Sequence, residues 1–214
     1  MPNFPRIFGE LRDLPPQGGR DATLRAESNS ASLAFTMRGQ EQNNWCWAAV
    51  GTSIGDFYSE RQTEQCAFAS DVLGLPAGAC CGTSSGGRCD KPWYLDRALA
   101  AAGCFERLDG VAGFGDVRGE VDAGQPLGVR VQWAQGGGHF MTIAGYRTGG
   151  SGQRIVTVHD PWGPKVLDLA IEGLDGGYGT DRGRWTHSYY TAAAPVLGGA
   201  PADRAHENPD LLGG

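Results

Sequence analysis

A change of hydrophobic period near residue 125 constrains the fold of this chain more than any other feature. Before it, apolar residues recur at helical spacing: Trp47, Val50, Ile54, Phe57 and Tyr58 share one face of a helix predicted from Cys46 to about Tyr58. Gly51 and Gly55 lower the propensity of that helix but let another element pack closely. Residues 92–103 read as a second strong helix, with Pro92 near its first turn, an alanine-rich body and Gly103 as its stop. Weaker helices are predicted over 62–73 and 114–123. From Leu127 the pattern alternates with period two, and strands are predicted over 127–133, 139–147, 155–160, 166–169 and 185–191. Helices first and antiparallel strands second predict an α+β domain. The 35 glycines suit the tight turns that such a β-rich half needs.

A chain of 214 residues fits one well-buried core with ragged ends. Residues 1–36 read as a poorly ordered arm, broken by Pro2, Pro5, Pro15 and Pro16, with a short strand over 33–37 leading into a domain spanning 37–191. The glycine- and proline-bearing stretch 192–214 reads as a disordered tail. A net charge of −6 without any basic block argues against nucleic-acid and anionic-membrane partners. No apolar run reaches transmembrane length. Met1–Arg6 lacks the apolar core of a Sec signal, which leaves a cytoplasmic protein or one exported by another route.

Chemistry concentrates at Gln40–Val50, where a polar run passes into an apolar helix-forming run with Cys46 at the junction. The free N–H groups and positive dipole end of a first helical turn favour thiolate over thiol. Trp45 and Trp47 flank the cysteine with bulky surface fit to wall a cleft. Four histidines exist, at 139, 159, 187 and 206. His139 opens a strand after three glycines, and Asp160 ends the next strand, where pairing would bring it beside His139. Strand alternation sends His159 to the other face, which favours His139 as the base. Gln40 and Gln42 precede Cys46 and offer amides to an oxyanion. The structural alternatives are plain: a core cysteine, a strand-end histidine, an Asp-Pro turn and solvated glutamines. With Cys46 free, Cys66, Cys80, Cys81, Cys89 and Cys104 remain, an odd set that allows at most two disulfides. Without a CxxC pair or nearby His, their spacing argues poorly for zinc.

The order of these residues is specific. A Gln six positions before Cys-Trp, a Gly-His strand and then Asp-x-Trp resembles the papain-like cysteine peptidases, with Gln40, Cys46, His139, Asp160 and Trp162 in the matching places. Asn44–Ala49 and Asp160–Gly163 look most like the small bacterial AvrRpt2-type proteases. The resemblance implies a helical lobe carrying the nucleophile, an antiparallel β-lobe and an active site in the cleft between them. It implies an endopeptidase working through a Cys46–His139–Asp160 triad on a protein or peptide substrate, in bacterial or host target proteins, without a metal or organic cofactor. Gln40 would help hold the oxyanion, and Trp162 would shield the His139–Asp160 contact. The third member is Asp where papain has Asn, and the Cys-Gly-Ser-Cys-Trp segment of papain is missing. The resemblance also suggests self-processing near Phe8-Gly9.

Other outcomes of the same residues are a papain-fold amidase, a leader-peptide peptidase or a transglutaminase. A catalytically silent binding module and an enzyme activated by a partner are the remaining alternatives.

Overall fold

The computed structural model describes residues 29–82, 86–180 and 182–194. Among the described residues five helices lie mostly ahead of the main strands in sequence: α1 (Cys46–Ser59), α2 (Gln65–Val72), the single turn α3 (Gly86–Cys89), α4 (Leu95–Ala101) and α5 (Phe114–Asp122). Eight strands form one antiparallel sheet: β1 (Ser30–Ser32), β2 (Phe105–Asp109), β3 (Leu127–Gln132), β4 (Gly138–Thr148), β5 (Arg154–Asp160), β6 (Lys165–Ala170), β7 (Asp175–Tyr178) and β8 (Gly183–Thr191). The main path runs β2-β8-β3-β4-β5-β6, with β1 paired to β4 and β7 to β8. The α+β architecture expected from the change of period is the one observed.

The two faces of the sheet serve two cores. On one face Val129, Val131, Met141, Ile143, Val156 and Val158 pack with Val117 and Val121 of α5. On the other, Phe140, Ala144 and Tyr189 meet the helical core of Trp45, Trp47, Val50, Ile54, Leu95 and Leu99. The period-two alternation of β4 thus joins a β-lobe to a helical lobe through one strand.

Gly51 and Gly55 lie where α1 meets its neighbours. A Cβ at 51 would stand 3.1 Å from the Cβ of Ala98 and 3.2 Å from the Phe68 ring; one at 55 would stand 3.0 Å from the Cβ of Ala102. Helix α4 begins at Leu95, later than expected, because Tyr94 is extended. Gly103, at φ 74°, supplies the stop that its position promised.

Several expectations need correction. The strand expected over 33–37 is absent; Ser30–Ser32 pairs with Gly145–Arg147 of β4 instead. Phe35 and Met37 are core residues, so the folded part extends before residue 37 into the stretch read as arm. The polar Ser-Ala-Ser carries no burial signal, because an edge strand is held by its backbone. Strands β2 and β7 were missed for the same reason: β2 is mostly exposed and β7 holds two glycines. Phe8-Gly9 and residues 195–214 lie outside the described residues. Among the described residues, no helix is long and apolar enough to cross a membrane.

Gly51→Val should lower unfolding free energy by about 1–3 kcal/mol through overpacking against α4 and Phe68. Gly119→Ala, on the exposed face of α5 with open space around it, should raise it by about 0.5–1 kcal/mol. Urea unfolding of both variants checks the pair.

Candidate active site

Cys46 is the first residue of α1. Its N-cap, Trp45, makes no side-chain cap, and the first intrahelical bond beyond it is from Ala49 N–H to the Trp45 carbonyl. The N–H groups of the first turn therefore remain available at the sulfur's end of the helix. The segment that closes the cysteine-rich loop holds this end in place. The indole N–H of Trp45 donates to the Cys89 carbonyl at 2.8 Å, and that of Trp47 to the Lys91 carbonyl at 3.0 Å. Asn44 N–H donates to an Asp90 carboxylate oxygen at 2.7 Å. Disulfides Cys66–Cys81 and Cys80–Cys89 tie that segment to α2. Cys46 and Cys104 are free, and Cys104 is buried, with its thiol pushed up to about 12 by that burial.

Register brings the other two residues together. Thr142 pairs with His159 and Ile143 with Val158. Continuing that register sets Asp160 opposite Met141 and diagonal to His139 on the same face. His139 Nε2 and Asp160 Oδ1 are 2.7 Å apart, and both residues are buried, at 7% and 2% exposure. Cys46 borders the same cleft and acts on His139 closely enough to raise its proton affinity. With Nε2 taken by Asp160, it is Nδ1 that faces the sulfur.

The Asp160 carboxylate is satisfied on both oxygens. Oδ1 also accepts the Trp162 N–H at 2.8 Å, and Oδ2 accepts the Tyr178 hydroxyl and lies 3.5 Å from Lys165 Nζ. Burial pushes the carboxyl up, but the His139 and Tyr178 hydrogen bonds, the His139 charge and the Trp162 N–H bring it down to about 2. Burial pulls His139 down, but its hydrogen bond to Asp160 and its interactions with Cys46 and the Asp160 charge carry it up to about 9. Burial and the Asp160 charge push the Tyr178 phenol far up, so Tyr178 stays a donor.

The cysteine, the imidazole and the carboxylate border one cleft of about 1350 Å³. Its aromatic walls are not those expected. Trp45 and Trp47 are fully buried, and of the two only Trp47 borders the cleft. Trp93, Tyr94, Trp133 and Trp162 supply the walls instead. Trp162, expected to cover the His139–Asp160 contact, is 55% exposed. A stack does the covering: Trp133 lies 6.1 Å from the His139 ring and 6.3 Å from Tyr178, nearly parallel to both.

Gln40 does not point its amide into the cleft. Its Nε2 donates to the Gln42 carbonyl at 2.9 Å and the Asn43 carbonyl at 2.7 Å, while its Oε1 is buried without a partner. Two loop carbonyls claim the amide protons that a substrate oxygen would need. The Gln40 backbone N–H donates to the Pro161 carbonyl at 3.0 Å, which ties the loop before Cys46 to the loop after Asp160. His159 turns away as expected and packs edge-on against Phe35. Tyr178, Trp133 and the Asp90 clamp had no recognisable sequence signal. Glu64, Cys66 and Cys81 place three potential ligands together, but both sulfurs are in one disulfide.

Residues 32–172 match the model of the Peptidase_C39 like family, about two thirds of the chain. The chain belongs to the Peptidase_C39-like family. No curated protein matches it in sequence. Among solved structures, the proform of the Amb a 11 cysteine protease, a ragweed pollen allergen, matches at 13% identity and a TM-score of 0.46, over 79% of this chain and 66% of its own. A second structure of that proform gives 13%, 0.47, 88% and 65%. Bromelain protease from Ananas comosus, in complex with the E64 inhibitor, gives 13%, 0.41, 77% and 99%. The chain spans a little under two thirds of the ragweed proform. Likeness at this level carries no argument about residues, so membership in this peptidase-like family rests on the family match.

Because His139 is raised from its ordinary 6.5 to about 9, its pairing stabilises the fold fully below pH 6.5 and loses that contribution as pH rises through about 9. An NMR titration should place the His139 ring near 9 in the parent and lower in Asp160→Asn. A parent midpoint at or below 6.5 would contradict the pairing.

Proposed function

We propose that this Peptidase_C39-like protein is a papain-like cysteine endopeptidase, with Cys46 as nucleophile, His139 as base and acid, and Asp160 as the group that orients His139. The observation that carries the reading is the placement of Cys46, His139 and Asp160 together at the wall of one cleft, with His139 hydrogen-bonded to Asp160. Each link has a chemical use. The imidazolium, held by the Asp160 charge, pairs with the Cys46 thiolate beside the uncapped first turn of α1. The thiolate attacks the scissile carbonyl, and the Cys46 N–H donates to the oxyanion that forms, a contribution of about 3 kcal/mol. His139 then protonates the leaving amine, the acyl-enzyme forms, and water activated by the same imidazole releases the acid.

Gln40 enters this scheme through the loop. Its amide pins the carbonyls of Gln42 and Asn43, and its N–H ties that loop to Pro161. This is a positioning role, in place of the oxyanion contact that spacing alone suggested. The substrate is a protein or peptide. A silent binding module would have no use for a buried carboxylate with each oxygen doubly engaged behind an imidazole and a free thiol. The finer kinship with AvrRpt2-type bacterial enzymes, and with it effector export and self-processing, rests on the motifs around Cys46 and Asp160 alone.

Cys46→Ala should abolish peptide hydrolysis while leaving the melting temperature close to that of the parent; full activity in that variant would end the proposal. Asp160→Asn should lower kcat by about 10²–10⁴-fold. It should also move the alkaline limb of the kcat/KM profile from near pH 9 to lower pH, since the charge that keeps His139 protonated is gone.

A further inference from the structure

Arg130 stands on the β-wall of the cleft with a charge the scheme above does not use. It lies on the face of β3 opposite Val129 and Val131, paired in register with Phe140 on one side and His187 on the other. Arg130 and Phe140 border the same cleft as Cys46 and His139. Among the described residues no carboxylate pairs with it. The other cleft cation, Lys165, is engaged with Asp160. Asp96, in the first turn of α4, borders the cleft from the helical lobe without an ion pair to Arg130.

The side chain is held in place. Nη1 donates to Thr186 Oγ1 at 3.1 Å, and Nη2 to the Gly137 carbonyl at 3.4 Å. Thr186 Oγ1 donates to the Arg130 carbonyl at 3.2 Å and lies 2.9 Å from His187 Nδ1. His187, which also borders the cleft, is thus anchored through Nδ1 to the same hydroxyl that holds Arg130. Gly138 gives the guanidinium its room: a Cβ there would stand 2.9 Å from Nη2 and 2.7 Å from the Val131 carbonyl. Two of five guanidinium N–H groups are thus spent on fixing the fork, and among the described residues the others have no partner and can meet a planar anion.

We propose that Arg130, with His187 beside it, forms an anion subsite that selects peptides bearing an acidic side chain close to the scissile bond. The substrate being a peptide rests on the peptidase reading above. The carboxylate is the anionic group that a peptide presents, and a fixed guanidinium fork recognises it by charge-assisted hydrogen bonds.

The test uses capped fluorogenic peptides in which Glu and Gln are exchanged at each position around the scissile bond. One arm reads kcat/KM in the parent. The other reads binding of the same peptides to Cys46→Ala by fluorescence anisotropy, which needs no turnover. Glu should be favoured over Gln by about tenfold or more at one position in both arms. Arg130→Gln should bring that ratio to near one, and Arg130→Lys, which keeps charge without the fork, should retain part of it. A general loss of packing would weaken both peptides alike and leave the ratio unchanged. A ratio near one at every position in the parent, or a Glu preference unchanged in Arg130→Gln, overturns the subsite. Selective binding of Glu peptides by Cys46→Ala, lost when Arg130→Gln is added, upholds the subsite even if the parent cleaves none of them; the peptidase reading would then fall alone.

Discussion

A carboxylate buried to the extent of Asp160 is tolerated only if its oxygens are satisfied, and meeting that demand organises the β-lobe around the cleft. His139 comes from β4, Tyr178 from β7, Lys165 from β6 and the Trp162 N–H from the loop between β5 and β6. Four separate pieces of chain converge on one group. Their convergence fixes the imidazole in rotation and keeps its Nε2 engaged, so that Nδ1 is left toward Cys46. The Trp133–Tyr178 stack behind the ring excludes water from the same contact. In this arrangement the field that holds a proton on His139 is built before any ligand arrives.

The helical lobe answers a different demand. A cysteine at a helix start is useful only if that start is held still, and α1 has no side-chain cap to hold it. Cys89–Lys91 does so from outside, its Cys89 and Lys91 carbonyls accepting from the Trp45 and Trp47 indoles and its Asp90 carboxylate from the Asn44 N–H. Two disulfides close the loop that carries these acceptors, which links an oxidised pair of bridges to the placement of a reduced thiol. Gln40 and Gln65 complete the mooring, Gln65 through the Gly39 carbonyl and the Glu41 N–H, and Gln40 across to Pro161 in the other lobe.

What the sequence made legible was what period and order can encode. The helix at Cys46, the strands that carry His139 and Asp160, and the glycines facing α4 all follow from spacing and side-chain type. Side-chain direction did not follow. Gln40 stands at the expected distance from Cys46, yet two nearby carbonyls take its amide. Trp162 stands at the expected place after Asp160, yet it is its backbone N–H that reaches the carboxylate while the indole faces solvent. Tyr178 was hidden in a glycine-rich stretch whose strand buries little, and Ser30–Ser32 in a polar segment whose pairing is all backbone. Long-range hydrogen bonds to main-chain carbonyls, as at Cys89 and Lys91, leave no trace in residue identity at the acceptor.

The claim at the centre of this account is that Cys46 is a reactive thiolate poised by His139. The most direct measurement is the intact mass of the protein after exposure to an epoxide inhibitor of papain-like enzymes, beside Cys46→Ala and His139→Ala, with the disulfides left intact. The account predicts one adduct on the parent, none on Cys46→Ala and much slower labelling of His139→Ala. No adduct on the parent, or equal labelling of parent and His139→Ala, would contradict it.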